Sequence, residues 1–261
     1  ERAPRNIFVL ATHNEIINGR GPIYIDARHL PQDQLAHMVN DRLFADCDKY
    51  GPYCKQRKID LSRDLLEVEV GCIGGGGSIW VDSRCQSTLK GLYSHPANTL
   101  SFALCGGFSA GSEAAKFDFG LEMKSEIDKR LLDQQKAELY HPLSLRSGYR
   151  WQEMEKLIRQ TMSFYMGFIR NRQGMENVLS ALKVLKTEIP RIKAQNIHEL
   201  MRVHETIQLL EYCELLVKAT LIREESGRSF YKRSDYPELD GKWAQQYPVF
   251  WQENGVNKMS L

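Results

Sequence analysis

Residues 68–93, VEVGCIGGGGSIWVDSRCQSTLKGLY, place four consecutive glycines, Gly74 to Gly77, between two runs of β-forming residues. A glycine-rich turn after a strand can wrap a phosphate in backbone amides, provided a helix N-terminus follows it directly. Here Ser78-Ile79-Trp80-Val81-Asp82 follows instead, a strand-like run, and the lysine-plus-hydroxyl ending of a P-loop is missing. The run therefore reads as a tight turn that makes no nucleotide site alone. Farther on, His95-Pro96 precedes a small-residue segment with helical character that opens at Asn98-Thr99-Leu100. The first amides of a helix have no intrahelical acceptor, so this start suits a pyrophosphate, with a plain surface turn at His95 as the alternative. Arg20 sits in NGRGP between glycines that let backbone approach closely. Its fixed guanidinium fork suits a carboxylate or sulfate-type oxyanion, against the alternative of an ordinary turn residue. His204 lies on an apolar helical stripe and reads as a satisfied core histidine. REESGR, residues 223–228, is either a solvated helix end or a set of guanidinium groups bracing carboxylates of a neighbouring domain.

Six cysteines, at positions 47, 54, 72, 85, 105 and 213, include no CxxC pair, which argues against a zinc knuckle or an iron–sulfur site. Cys47 and Cys54 are close enough in sequence for a disulfide, but free thiols in a reducing compartment are the expectation. A net charge of +2 and the lack of any basic run signal neither a nucleic-acid protein nor an acidic binder. No stretch reaches the roughly 20 apolar residues of a membrane span. The opening Glu1-Arg2-Ala3-Pro4-Arg5 is unlike a secretory leader.

The elements that must position these groups change character near residue 115. Before it come short β-like runs, glycine and proline. The pattern predicts a helix over PRNIFVLATHNEII stopped by Gly19, a strand at PIYID and a second helix from Leu30 to about Gly51 with Leu35, Met38, Val39 and Leu43 on one face. Strands are expected at LLEVEVGCI and SIWVD. After it, Trp151, Met154, Leu157, Ile158, Met162, Tyr165 and Ile169 recur at three- and four-residue steps. So do Val178, Leu182 and Leu185, and then Leu200, Val203, Ile207, Leu210, Cys213 and Val217. Three such stripes with short connections predict a bundle of antiparallel helices, with a charged fourth helix over about 118–140. The tail from residue 229 carries Tyr231, Tyr236, Trp243, Tyr247, Phe250 and Trp251, and so must lie on a surface, its own or a partner's.

The order of the pieces PRNIFVLATHNEIINGRGPIYIDARHL, GGGGSIWVDSRCQSTLKGLY, NTLSFALCGGFSAGSEAA and LIREESGRSFYKRSDYPELD resembles the carboxy-terminal half of flavoprotein subunits of the succinate dehydrogenase, fumarate reductase and adenylylsulfate reductase family. The tail is the most specific part, matching a family pattern near R-x-E-S-R-G-x-H-x-R-x-D-Y-P. The resemblance implies an α+β fold: a remnant of a capping, substrate-binding domain over 1–70, a returning segment of the FAD-binding domain over 71–116, a helical bundle domain over 117–228, and the aromatic tail. The glycine run then corresponds to a turn beside the isoalloxazine, which makes Gly75 and Gly76, with His95, Asn98, Thr99 and Leu100, the cofactor-binding candidates. Arg5, in APRN, matches an arginine that gives a proton to a dicarboxylate, so Arg5 and Arg20 are the catalytic candidates. The family's G-x-G-x-x-G unit is not among these residues, and the loop after GLY is shortened to SHPA.

FAD is the implied cofactor, bound with the help of an amino-terminal flavin-binding half or a second flavoprotein chain. A small anionic substrate and an iron–sulfur electron-transfer subunit are the other implied partners, without nucleic acid. The implied location is cytoplasmic, with membrane association only through partner subunits. Two further readings stay open: a cofactor-free homologue serving as a structural or docking subunit, and an unrelated helical interaction module.

Overall fold

The computed structural model describes residues 4–40, 50–71, 78–95, 100–117, 128–227, 232–244, 246–253 and 256–260. By internal contacts the chain divides into two units, Glu1–Ile73 with Arg228–Phe230, and Gly74–Gly227 with Tyr231–Leu261.

In the first unit, helix α1 (Arg5–Ile17) ends one residue before the Asn18 cap, and Gly19 follows at φ +73°, the left-handed conformation that glycine enters without a Cβ clash. Strand β1 (Ile23–Ile25) comes next, then α2 (Gln32–Asn40) and α3 (Tyr50–Arg57). Strand β2 (Leu66–Val68) pairs antiparallel with β1, Tyr24 opposite Glu67. Ala27, Leu35, Cys54, Leu61 and Leu66 form a small buried core around this pair. The helix expected from Leu30 to about Gly51 is thus α2 and the start of α3; residues 41–49, with Leu43 and Cys47, lie outside the described residues. Cys54 is a free thiol, and burial pushes its pKa up.

The second unit begins, in the described residues, with a compact loop from Ser78 to His95. The strand expected at SIWVD is not formed: Ile79 and Trp80 are exposed, and only Val81 makes a bridge, to Ser87. Their β-propensity is overridden because no neighbouring strand lies alongside among the described residues. Helix α4 (Leu100–Lys116) follows, then α5 (Lys129–Ser144); of the charged helix expected over about 118–140, residues 118–127 lie outside the described residues. Asp128 caps α5 by accepting from the Arg130 and Leu131 amides at 2.9 and 3.3 Å.

Strand β3 (Tyr149–Arg150), helix α6 (Trp151–Tyr165), strand β4 (Ile169–Arg170) and helix α7 (Arg172–Glu188) lead to strand β5 (Ile192–Lys193) and the long helix α8 (Ile197–Ile222). Each helix starts where a polar side chain replaces a missing backbone acceptor. Glu153 takes the Arg150 amide at 2.7 Å, Asn171 takes that of Gly174 at 2.8 Å, and Asn196 takes that of Glu199 at 2.9 Å. The three stripes expected of 145–225 meet in one core: Ile158, Met175, Val178, Val203 and Val217 are fully buried, with Met154, Leu182, Leu200 and Leu210 beside them. Burying each such side chain is worth about 1.5–3 kcal/mol, so this cluster dominates the unit's stability. His204 Nε2 donates to the Leu139 carbonyl at 2.9 Å, which ties α8 to α5; the ring is satisfied, as expected, but half-buried rather than core.

Two short parallel pairs close the bundle ends, β3 with β5 and β4 with β6 (Lys232–Arg233). Strands β7 (Val249–Glu253) and β8 (Val256–Ser260) form a terminal antiparallel ribbon. Among the described residues no helix is long and apolar enough to cross a membrane, and no group of three His, Cys, Asp or Glu could hold a metal ion.

Candidate functional site

The loop from Val81 to His95 is held shape by its own hydrogen bonds. Asp82 accepts from the amides of Arg84 and Gln86 at 2.8 and 3.0 Å, the Gln86 bond foremost in holding its carboxyl below the usual range. Ser94 donates its amide to the Cys85 carbonyl at 2.9 Å, and Cys85 takes a left-handed φ of +63° at the turn. This scaffold delivers His95 onto α4 at Gly106. A Cβ on Gly106 would stand 2.1 Å from Nδ1 of the imidazole, so only glycine lets the ring seat there. His95 is half-buried, and its Nδ1 is buried without a partner. A buried imidazole nitrogen without a partner is uncommon in native structures and calls for an explanation.

Helix α4 is built inside out compared with a core helix. Its small residues, Gly106 and Ala110, are the buried ones. Leu100, Leu104 and Phe108, four residues apart on one face, are 77%, 68% and 78% exposed. Beside them Gly107 and Gly111 have open space where a Cβ would point. A row of large apolar groups flanked by glycines lets another backbone or a flat ring come close. Of the cofactor-binding candidates, His95 packs on α4 at Gly106 and Leu100 is the first residue of that helix; Gly75, Gly76, Asn98 and Thr99 lie outside the described residues.

The catalytic candidates sit in the first unit. Arg20 makes a two-pronged ion pair with Glu15, Nε to Oε2 at 2.5 Å and Nη2 to Oε1 at 2.7 Å. The hydrogen bond from Arg20 is the main reason the Glu15 carboxyl is held below its ordinary pKa. Both side chains are exposed, so an incoming anion would compete with a weak surface pair. Arg5 is the first residue of α1, and its side chain lies outside what is described.

The residues that sequence reasoning did not find are those closing the tail. Arg233 is completely buried. Its Nη1 donates to the carbonyls of Thr220, Leu221 and Arg223 at 3.0, 3.4 and 3.0 Å, satisfying the carboxyl end of α8. Nε and Nη2 donate to the two oxygens of Asp235 at 2.7 and 2.6 Å, and the guanidinium lies 5.0 Å from the Tyr236 ring centre. Arg233 above all holds the Asp235 carboxyl down to about 2, and Asp235 also accepts the Arg172 amide at the start of α7. Buried Ser226 accepts from the Arg233 amide, and buried Glu225 accepts from Arg223 and from the Asp240 amide. The REESGR cluster is thus not simply solvated: Glu225 and Ser226 are buried. The guanidinium-to-carboxylate bracing joins α8 to its own tail within one unit. The R-x-D spacing at 233–235 was the signal available, since two residues in an extended turn put a fork and a carboxylate side by side. Trp243 is buried as well, whereas Tyr247 and Trp251 are exposed.

Residues 155–260 match the family model described as fumarate reductase flavoprotein C-term. An uncharacterised FAD-dependent oxidoreductase of Methanocaldococcus jannaschii is 23% identical over 263 residues, covering 93% of this chain and 46% of that protein. L-aspartate oxidase of Acinetobacter baylyi is 28% identical over 258 residues, covering 92% of this chain and 44% of the enzyme. The chain therefore spans less than half the length of these curated relatives. Among solved structures, adenylylsulfate reductase from Archaeoglobus fulgidus superposes with a TM-score of 0.73 at 17% identity, over 100% of this chain and 50% of that one. This is a likeness of fold.

Proposed function

We propose that the chain belongs to the flavoprotein family of fumarate reductase, succinate dehydrogenase and adenylylsulfate reductase and supplies the carboxy-terminal half of an FAD-dependent oxidoreductase; the family-model match over residues 155–260 and the likeness to two curated redox proteins support this reading. The observation that carries the reading is the match to redox enzymes over more than nine-tenths of the chain but under half of each enzyme. The domain reading above, with a capping remnant before residue 70 and a flavin-domain segment to 116, goes with it. Neither curated relative favours the cofactor-free docking reading, since both are named for a redox activity.

The residues present fit an FAD isoalloxazine on two counts, the unpartnered Nδ1 of His95 and the open glycines of α4. When bound, FAD supplies exchange of an electron pair at its N5. In this reading His95 contributes a hydrogen bond to the ring edge, held in place by its seat on Gly106. Gly75, Gly76, Asn98 and Thr99, which lie outside the described residues, are proposed as further cofactor contacts together with Leu100, the first residue of α4. The exposed row Leu100, Leu104 and Phe108 excludes water once the other half covers it. Arg5 and Arg20 neutralise an anionic substrate, Arg20 by exchanging its Glu15 partner. An iron–sulfur subunit is the proposed electron partner.

The test is reduction of the flavin-loaded assembly. Anaerobic L-aspartate or succinate should bleach the flavin absorbance, and Arg20→Met should raise the donor concentration required while sparing dithionite reduction. Bleaching that is indifferent to every carboxylate donor and to both arginines would reject the anion assignment.

A further inference from the structure

We propose that a cleft at the carboxyl end of α8 binds a small organic carboxylate. The cleft has a volume of about 460 Å³, inside the range of roughly 300–1,000 Å³ for small-molecule sites. Its apolar lining is Leu221, Ile222 and Trp243. Its charged lining is Arg172 and Lys242 against the single carboxylate of Glu224, a net positive charge.

Glu224 is already occupied, accepting from the Tyr236 hydroxyl at 2.9 Å and from Arg172 at 3.2 Å. It therefore has little capacity left for a cationic or donor-rich ligand. The two cations are more available. Arg172 holds Glu224 by one long contact, and Lys242 holds Asp240 at 3.1 Å, with both cationic side chains about half exposed. Ion pairs of this kind are weak, so an incoming carboxylate can take donors from both groups. Gln246 adds an exposed amide to the rim.

Trp243 explains why an organic body is expected on the anion. The indole is 4% exposed and is flanked by cations, Lys242 at 5.3 Å and Arg223 at 6.0 Å from its rings. Its Nε1 is buried with no acceptor. Inorganic phosphate would meet the charges and leave the apolar wall unused. A carboxylate on a flat or branched hydrocarbon uses both.

Calorimetric titration of the whole chain with benzoate, benzyl alcohol and inorganic phosphate tests this. Benzoate should bind saturably at one site. Lys242→Met should weaken it about tenfold or more, as for a lost charge-assisted hydrogen bond. Lys242 is a surface residue, and an unchanged melting temperature would show that the variant is folded. Benzyl alcohol binding as well as benzoate would reduce the cleft to an apolar patch, and phosphate binding as well would reduce it to a charged one. Either result overturns the proposal, as does benzoate binding that ignores Lys242→Met or never saturates.

Discussion

Helices α4 and α8 are both rich in apolar residues, yet they bury opposite things. In α8 the large side chains Leu200, Val203, Leu210 and Val217 face α6 and α7 and are covered. In α4 the covered residues are Gly106 and Ala110, and Leu100, Leu104 and Phe108 face outward. Apolar residues become a core only where the chain also supplies the opposing surface. For α8 that surface is α6 and α7. For α4, along this face, the described residues do not supply one. The difference separates a region whose apolar stripes are covered by its own helices from one whose apolar row stays open among the described residues.

The largest effect is expected at the keystone of the complete region. Arg233→Met leaves Asp235 and three helix-end carbonyls without their donor, and should cost about 3–5 kcal/mol in urea unfolding, as for a broken buried pair. A loss below about 1 kcal/mol would mean that water replaces the guanidinium without penalty. Next comes Leu210→Ala in the bundle core, expected to cost about 2–5 kcal/mol. A change under about half a kcal/mol would place Leu210 outside the core.

Acid should act on the same keystone more gently. The folded-state pKa of Asp235 is depressed from 3.8 to about 2, chiefly by Arg233. Its stabilisation is therefore fully present above pH 3.8 and is lost as pH falls through about 2. In Asp235→Asn this part of the acid loss should vanish, so the stability curves of the two proteins should converge toward the low end of that window. Parallel curves would assign the acid sensitivity to other carboxylates.

The smallest effect is expected at α4. Phe108→Ser in this chain alone should alter stability by no more than about 0.5 kcal/mol, the usual size for an exposed site. A loss of several times that would show Phe108 to be core, and the contrast between the two helices would fall.

What was legible in the sequence follows the same division. The stripes of α6, α7 and α8 announced themselves because a helix covered by neighbours in the same chain keeps a strict three- and four-residue rhythm. The Gly19 stop and the short β1 strand were equally plain, being local. SIWVD misled because Ile79, Trp80 and Val81 are strand formers by type, while pairing needs a partner that no local pattern reports. The tail was half legible: its aromatic content required a surface, but nothing in the spacing told buried Trp243 from exposed Tyr247 and Trp251. Arg233 was hardest. Its partners span Thr220 to Asp235 and converge only when the chain turns back after α8. At the candidate site, GGF in α4 read simply as small residues permitting close packing. The contact that gives Gly106 its meaning is with His95, in a loop whose path is set by Asp82.

The most direct test is equilibrium dialysis of FAD against these 261 residues, alone and mixed with a polypeptide carrying a G-x-G-x-x-G dinucleotide-binding half. The account predicts negligible retention by the chain alone and stoichiometric retention by the mixture, weakened when Leu104 and Phe108 are both changed to Glu. Tight stoichiometric FAD binding by the chain alone would contradict it.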